Sequence, residues 1–420
     1  MVIGLLDRVI ARIDSMRDEM ARTLSELISI PAIGPDNGGE GEYDKAARLL
    51  DIIKDWGFTK IERYDAPDPR VKHGVRPNIL AYYEGSDPNA SRLWILSHLD
   101  VVPPGDLSKW TVTKPFEPVI RDGKVYGRGS EDNGQAIVSS LYAVKALMEL
   151  GVKPRRTVVL AFVSDEETGS KYGLGYLVEK HRELFRDNDL VLVPDAGVPD
   201  GSFIEIAEKS ILWVKIKITG AQTHASTPHR GINAHAVASR ITSNLYRYLY
   251  KKYSERDELF DPPLSTFEPT MTFNPSNAPN IIPGEYSVVF DCRILPKYSI
   301  DDVLRDMKNT CKNTIRRFKG LAGGKPGFNI EVLQRLDAPA PTPKDSEIVR
   351  LLERALREVR GIQPRVGGIG GGTVAALFRK IGLPAAVWST IDEMAHQPNE
   401  YAKIDNLVND AKVMAALMMY

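Results

Sequence analysis

Three short apolar runs constrain this chain more than any other feature: Leu93–Leu99, Thr157–Val163 and Leu190–Val193. Each stops at polar or Gly/Pro punctuation. Runs this short, rich in Val, Ile and Leu, read as strands buried on both faces. Such strands need a layer of helices on each side, and the sequence supplies them. Apolar positions recur every three or four residues over 5–29 and 43–56, which predicts helices. The segment between them, PAIGPDNGGEGEYD, is a Pro/Gly loop. A further helix is expected over 135–150, with Gly151 as its stop. Strands alternating with helices predict an α/β layered domain.

The pattern changes near Ile211. LWVKIKITG alternates apolar and polar residues, as a half-exposed strand does. A helix is expected over 233–252, then a turn-rich stretch over 261–284. A strand over Tyr286–Leu295, a helix over 300–318 and a strand over Phe328–Leu333 follow. These form a smaller α+β unit, residues 211–333, inserted between the two parts of the first domain, 1–210 and 334–420. The Pro-rich passage APAPTP (338–343) reads as the return linker.

Bulk composition excludes more than it selects. Lys plus Arg is 55 and Asp plus Glu is 55, a net charge of zero. That gives no electrostatic case for a nucleic-acid or membrane partner, so any charged ligand must be recognised by a local site. The longest apolar runs are strand-sized, and no membrane span is expected. The N-terminal run carries Asp7 and Arg8 and reads as an amphipathic helix, not a signal peptide. Two cysteines, Cys292 and Cys311, sit in no CxxC pair. A reducing, cytoplasmic setting is the expectation.

The acids and histidines cluster after the apolar runs. His98 and Asp100 sit in LSHLDVVPPG, where the apolar run stops, and i, i+2 spacing puts them on one face of an extended chain. Asp132 lies in GRGSEDNG, a Gly-rich loop that opens a helix. Glu166 and Glu167 follow TVVLAFVSD, Asp195 follows LVLVP, and His396 sits in DEMAHQPNE. Open α/β sheets bind ligands beyond the carboxyl ends of their strands. Singly, each residue has a structural explanation: a surface pair, a turn former, a helix cap. Together they supply a two-metal centre. Zinc takes imidazole nitrogen and carboxylate oxygen, and paired ions need a shared ligand. Two histidines, three ligand acids, one base and one orienting acid complete the set.

SHLDVVP, GRGSEDNG, SDEETGS, VPDAG and AHQPNE resemble, in this order, the five metal-site motifs of one metallopeptidase family. That family includes aminoacylase-1, acetylornithine deacetylase, succinyl-diaminopimelate desuccinylase, glutamate carboxypeptidase and carnosinase-like dipeptidases. The resemblance implies a mixed twisted sheet flanked by helices and an inserted α+β lid and dimerisation domain. It also implies a homodimer with two divalent ions per subunit, zinc first, with cobalt and manganese as alternatives. His98 and Asp195 would bind the first ion, Glu167 and His396 the second, and Asp132 both, through a carboxylate whose following peptide bond is often cis. Glu166 would be the general base and Asp100 would orient His98. GAQTHASTPH points to His224 as oxyanion donor, reaching across from a partner subunit. DCRILP points to Arg293 for a substrate carboxylate, NAPNIIPG to Asn280, and GGIGGGTVAA to Gly371, Gly372 and Thr373.

The expected reaction is hydrolysis of an amide bond in an N-acyl amino acid or short peptide with a free carboxylate. Two departures weaken a diaminopimelate substrate in particular. Thr373 is followed by Val374, Ala375 and Ala376 where desuccinylases continue with a Ser-Asp pair. Gly134 and Gln135 stand where many members have Lys-Gly. A serine or cysteine nucleophile is the first rival, opposed by the lack of a GxSxG elbow. A non-catalytic binding protein on the same scaffold is the second, opposed by the filling of every expected position.

Overall fold

The computed structural model describes residues 2–318, 320–321 and 323–420. The chain forms two compact units. The first comprises residues up to Ile206, Thr342–Val366 and Thr373–Tyr420. The second comprises Ala207–Pro341 and Gly367–Gly372.

The first unit is built on a mixed sheet. Its strand order is Lys60–Pro67, Val75–Tyr83, Val158–Val163, Leu93–His98, Leu190–Val193, Ala385–Val387, Phe203–Glu208 and Arg365–Ile369. The last two each pass from the first unit into the second. Every residue of Leu93–His98, Val158–Val163 and Leu190–Val193 is buried, as expected of strands covered on both faces. These three run parallel, and Ala385–Val387 runs parallel to Leu190–Val193. The register pairs His98 with Val163, so two strands end level and their following loops open on one edge. Helices Ala136–Glu149 and Ile404–Met419 are apolar almost all round and buried accordingly.

The structure goes beyond the sequence pattern at three places. The N-terminal helix breaks at Met16 into Val2–Ser15 and Arg17–Ile28; apolar periodicity carries on through the break and hides it. The antiparallel pair Lys60–Pro67 and Val75–Tyr83 gave no clear signal, because the outer strand is charged and only partly covered. In the second unit, the turn-rich stretch 261–284 contains an edge strand, Thr266–Phe273. Its side chains beyond Phe267 are exposed and it carries Pro269, which edges tolerate.

That strand completes an antiparallel sheet with Glu285–Ile294, Ser210–Thr219 and Gly327–Leu336. Leu212, Val214, Ile216 and Ile218 alternate onto a core shared with helices Ala234–Lys252 and Ile300–Arg317. Asn233 and Ser299 cap these helices, each side chain accepting a backbone N–H of the first turn. No described helix is long and apolar enough to cross a membrane.

Candidate metal centre

The level ends of the parallel strands bring the acids and histidines of the first unit together. His98 is buried at its strand's last residue. Its Nδ1 lies 3.0 Å from the carbonyl oxygen of Asp100 and 3.5 Å from the Asp100 carboxylate. Donation from Nδ1 to that carbonyl leaves Nε2 to face the site. Nε2 lies 2.9 Å from Asp132 Oδ1 and 3.4 Å from Asp195 Oδ1. The other oxygen of Asp132, Oδ2, lies 3.0 Å from His396 Nε2. His396 Nε2 in turn lies 3.1 Å from Glu167 Oε2. One Asp132 carboxylate therefore stands between two imidazoles. Donor atoms of His98, Asp132 and Glu167 lie within 4.8 Å of one another, and so do those of His98, Glu166 and Asp195.

The carboxylate of Asp100 accepts the backbone N–H groups of Glu166 and Glu167, each at 3.0 Å. It thereby ties the glutamate turn to the end of the neighbouring strand. Just before that turn, Asp165 takes a left-handed conformation (φ 66°). A non-glycine residue holds that shape only when its surroundings enforce it. Asp165 accepts Tyr172 N–H at 2.9 Å and a guanidinium N–H of fully buried Arg76 at 2.8 Å. The same Arg76 binds Glu42 through Nε at 3.0 Å and through Nη2.

Acids within the quoted motifs, unassigned by sequence, hold the Asp132 loop. Glu400 is buried and accepts the N–H groups of Gly129, Glu131 and Asp132, each at 3.0 Å, together with Arg128 Nη1. Glu131 accepts the N–H of Asp392 at 2.6 Å and that of Met394, which ties the His396 loop to the Asp132 loop. In that loop Glu393, His396 and Asn399 all have positive φ. The Asp132–Asn133 peptide bond is cis. Asn133 Nδ2 donates to Asp195 Oδ1 at 2.7 Å. Gly134 has no room for a side chain, because a Cβ would come 2.5 Å from the Gly129 carbonyl. Gln135 is buried and donates to Asp410 and to the Thr390 carbonyl, a structural use.

The electrostatics call for a cation. Asp132, Glu166, Glu167 and Asp195 face two imidazoles. Burial, then the Asp195 charge, pushes the Glu166 carboxyl well above the usual carboxylate range. Hydrogen bonds to Asp132 and Glu167 push His396 up to about 10. Burial opposes the His98 imidazolium, yet Asp100, Asp132 and Asp195 overcome it and raise its pKa well above the ordinary histidine value. Burial also opposes the Asp132 carboxylate, but His396 and His98 hold it below its ordinary range. Protons gather where oxygen and imidazole donors converge. A divalent ion competes for the same place, and the donor set suits zinc-like ions.

The second unit holds most of the remaining expected residues. His224 pairs in register with Ile281. Its Nδ1 accepts the Ser226 N–H at 3.1 Å, which places the neutral ring's proton on exposed Nε2. Asn280 is next to that pairing, and its carbonyl accepts the Ala225 N–H. Arg293 gives Nε and Nη2 to Asp291 at 2.6 and 3.0 Å and Nη1 to the Gly370 carbonyl at 3.0 Å. That brings it to the glycine loop. Gly371 has space around it, whereas a Cβ on Gly372 would come 2.7 Å from Leu336. Thr373, in the first unit, accepts the Ala375 N–H at 3.3 Å through Oγ1 at a helix start. His229 and His235 are exposed, and His235 stacks on Tyr286. Both cysteines are buried and free, and burial raises both thiol pKa values. Neither has the character of a nucleophile.

A mixed α/β sheet with imidazoles and carboxylates gathered at its strand ends is the architecture of a metal-dependent hydrolase of amide or peptide bonds. Residues 94–420 match the Peptidase family M20/M25/M40, and the chain belongs to that family. It is 43% identical over 415 residues to an uncharacterised metallohydrolase of Methanocaldococcus jannaschii, covering 96% of this chain and 99% of the relative. It is 26% identical over 401 residues to a succinyl-diaminopimelate desuccinylase of Pelagibacter ubique, covering 94% and 96%. Its fold is similar to that of human carnosine dipeptidase 1, with a TM-score of 0.70 and 19% identity over 99% of each chain. It is also similar to an M20 family metallo-carboxypeptidase of Sulfolobus solfataricus, with a TM-score of 0.69 and 21% identity over 96% and 98%.

Proposed function

We propose that the protein is a two-metal hydrolase that cleaves an N-acyl amino acid or a short peptide bearing a free carboxylate. The observation that carries this reading is Asp132, with one oxygen 2.9 Å from His98 and the other 3.0 Å from His396. A carboxylate so placed can serve two ions at once. His98 and Asp195 would complete one coordination set, Glu167 and His396 the other, with zinc the first choice and cobalt or manganese alternatives. Bound divalent ions lower the pKa of water and polarise an amide carbonyl.

This chain's own residues do the rest. Glu166, with its raised pKa, takes a proton from the attacking water and returns it to the leaving nitrogen. Asp100 fixes both His98 and the Glu166 turn. His224, with its proton on Nε2, is the proposed oxyanion donor. Arg293 keeps one N–H on each Nη beyond its bonds to Asp291 and Gly370, enough for a bidentate grip on a substrate carboxylate. Asn280, Gly371, Gly372 and Thr373 are the proposed substrate contacts. Residues 211–333, within the second unit, are the proposed lid and dimerisation domain of a homodimer.

The test is metal content per chain beside chelator-sensitive hydrolysis of an N-acyl amino acid and dipeptide panel. About two ions per chain, with activity lost on chelation and restored by zinc, cobalt or manganese, is the expected result. Glu166→Ala should abolish turnover while metal content stays. Turnover at the normal rate in that variant would reject the base assignment.

A further inference from the structure

The chain is neutral overall, but its charge is unevenly spread. No aspartate or glutamate occurs between Lys209 and Ser254, nor between Met307 and Ile330. The fold lays these two stretches side by side. Helices Ala234–Lys252 and Ile300–Arg317 pack antiparallel. Arg240 lies over the Phe318 ring at 5.0 Å, Asn244 Nδ2 donates to Thr314 Oγ1 at 2.9 Å, and Tyr253 donates to Asp306 at 2.7 Å. The acids of the second helix lie in its first half and are already paired: Asp301 with Arg335, Asp302 with Arg305, Asp306 with Lys252.

Between the acid-free lengths runs a groove of about 690 Å³. Arg240, Arg247 and Arg317 line it, with serine, threonine and asparagine side chains between them and no carboxylate. None of the three arginines makes an ion pair among the described residues. Arg247 Nη2 donates to Asn244 Oδ1 at 2.9 Å, and Asn244 is held by Thr314, so this guanidinium is set in place before any ligand arrives. Solvated helix faces usually mix the two signs of charge, and surface arginines elsewhere in the chain do pair, as Arg12 does with Glu149 and Arg354 with Glu358. Three guanidinium groups around one concave, hydroxyl- and amide-rich surface match the oxygens of phosphate groups. The volume is that of a small-molecule site. Tyr248 and Phe318 also line it, and with Arg240 already over the Phe318 ring, Tyr248 offers a ring on which a planar group can stack.

We propose that this groove binds a small organic polyphosphate, with the charge and size of a nucleoside di- or triphosphate. The volume of the groove and its three guanidinium groups fit a compact ligand.

The probe is ATP with excess Mg²⁺, so that it does not strip metals, titrated calorimetrically into the metal-loaded protein. One equivalent should bind per chain, and affinity should fall as NaCl rises from 50 to 200 mM. The variant Arg240→Ser/Arg247→Ser/Arg317→Ser replaces exposed residues only. It should melt as the parent does, retain hydrolase activity and bind Mg·ATP at least tenfold more weakly. No binding at millimolar Mg·ATP, or equal binding by parent and variant, overturns the proposal. So does loss in the variant of duplex DNA or anionic-vesicle binding when Mg·ATP binds neither protein, because the occupant would then be a macromolecular surface.

Discussion

Arg76→Met tests how the glutamate turn is held. Arg76 is buried between Glu42 and Asp165, joined to Glu42 by two hydrogen bonds and to Asp165 by one. Methionine fills most of the volume but leaves two buried carboxylates with no counter-charge. Removing one partner of a buried ion pair costs about 3–5 kcal/mol. In a unit of this size that lowers the melting temperature by roughly 6–20 °C, at about 2–4 °C per kcal/mol. The pH sign follows from burial. Burial already raises the Glu42 pKa against the pull of Arg76, and without the arginine the Glu42 value rises further. A folded-state pKa above the unfolded one gives stability that is complete at low pH and lost as pH rises through the folded value. The deficit of the variant should therefore be large at pH 8 and smaller at pH 5. The assay is thermal unfolding of parent and variant across that range, with metal loaded and with metal removed. A deficit under about 1 kcal/mol, below the cost of even one unpaired buried charge, would refute the reasoning. So would a deficit that grows as pH falls. Because Asp165 leads into Glu166, kcat should fall with stability while metal content changes less.

Three further outcomes are expected. Glu400→Gln puts an amide NH₂ against backbone donors and Arg128, and should weaken metal binding about 10–100-fold, read by competition with a chromogenic chelator. Gly134→Ala drives a Cβ into the Gly129 carbonyl, which should cost about 1–3 kcal/mol in thermal unfolding; a neutral result would mean that the Asp132 loop yields easily. With metal removed, His396 has a pKa near 10, raised by Asp132 and Glu167. Its contribution is whole below the ordinary histidine value and fades as pH rises through about 10, so melts of the metal-free protein should show stability falling over that interval.

The strands of the first unit were legible because burial on both faces leaves a dense apolar run, as in Val158–Val163. His98, Asp100, Glu166, Glu167 and Asp195 stood out because they end or follow such runs, whereas Asp132 and His396 were legible only through their motifs. What sequence left unassigned were the groups that hold them. Glu42, Glu131 and Glu400 look in sequence like any solvated acid. Their partners lie far along the chain, Arg128 being 272 residues from Glu400, Asp392 being 261 from Glu131 and Arg76 being 34 from Glu42. A buried charge is defined by tertiary neighbours, and periodicity carries no trace of them. The edge strand Thr266–Phe273 was missed for the opposite reason: its exposed side chains owe no pattern to a core.

The place of Ala385–Val387 in the sheet has a consequence in time. It lies between Leu190–Val193 and Phe203–Glu208, strands made far earlier, and the second unit is made in between. At roughly 5–20 residues per second, the ribosome needs on the order of 10–40 s to pass from Asp195 to His396. For that interval the nascent chain carries a sheet with a gap and a centre with one imidazole. The later stretch 385–396 closes both together.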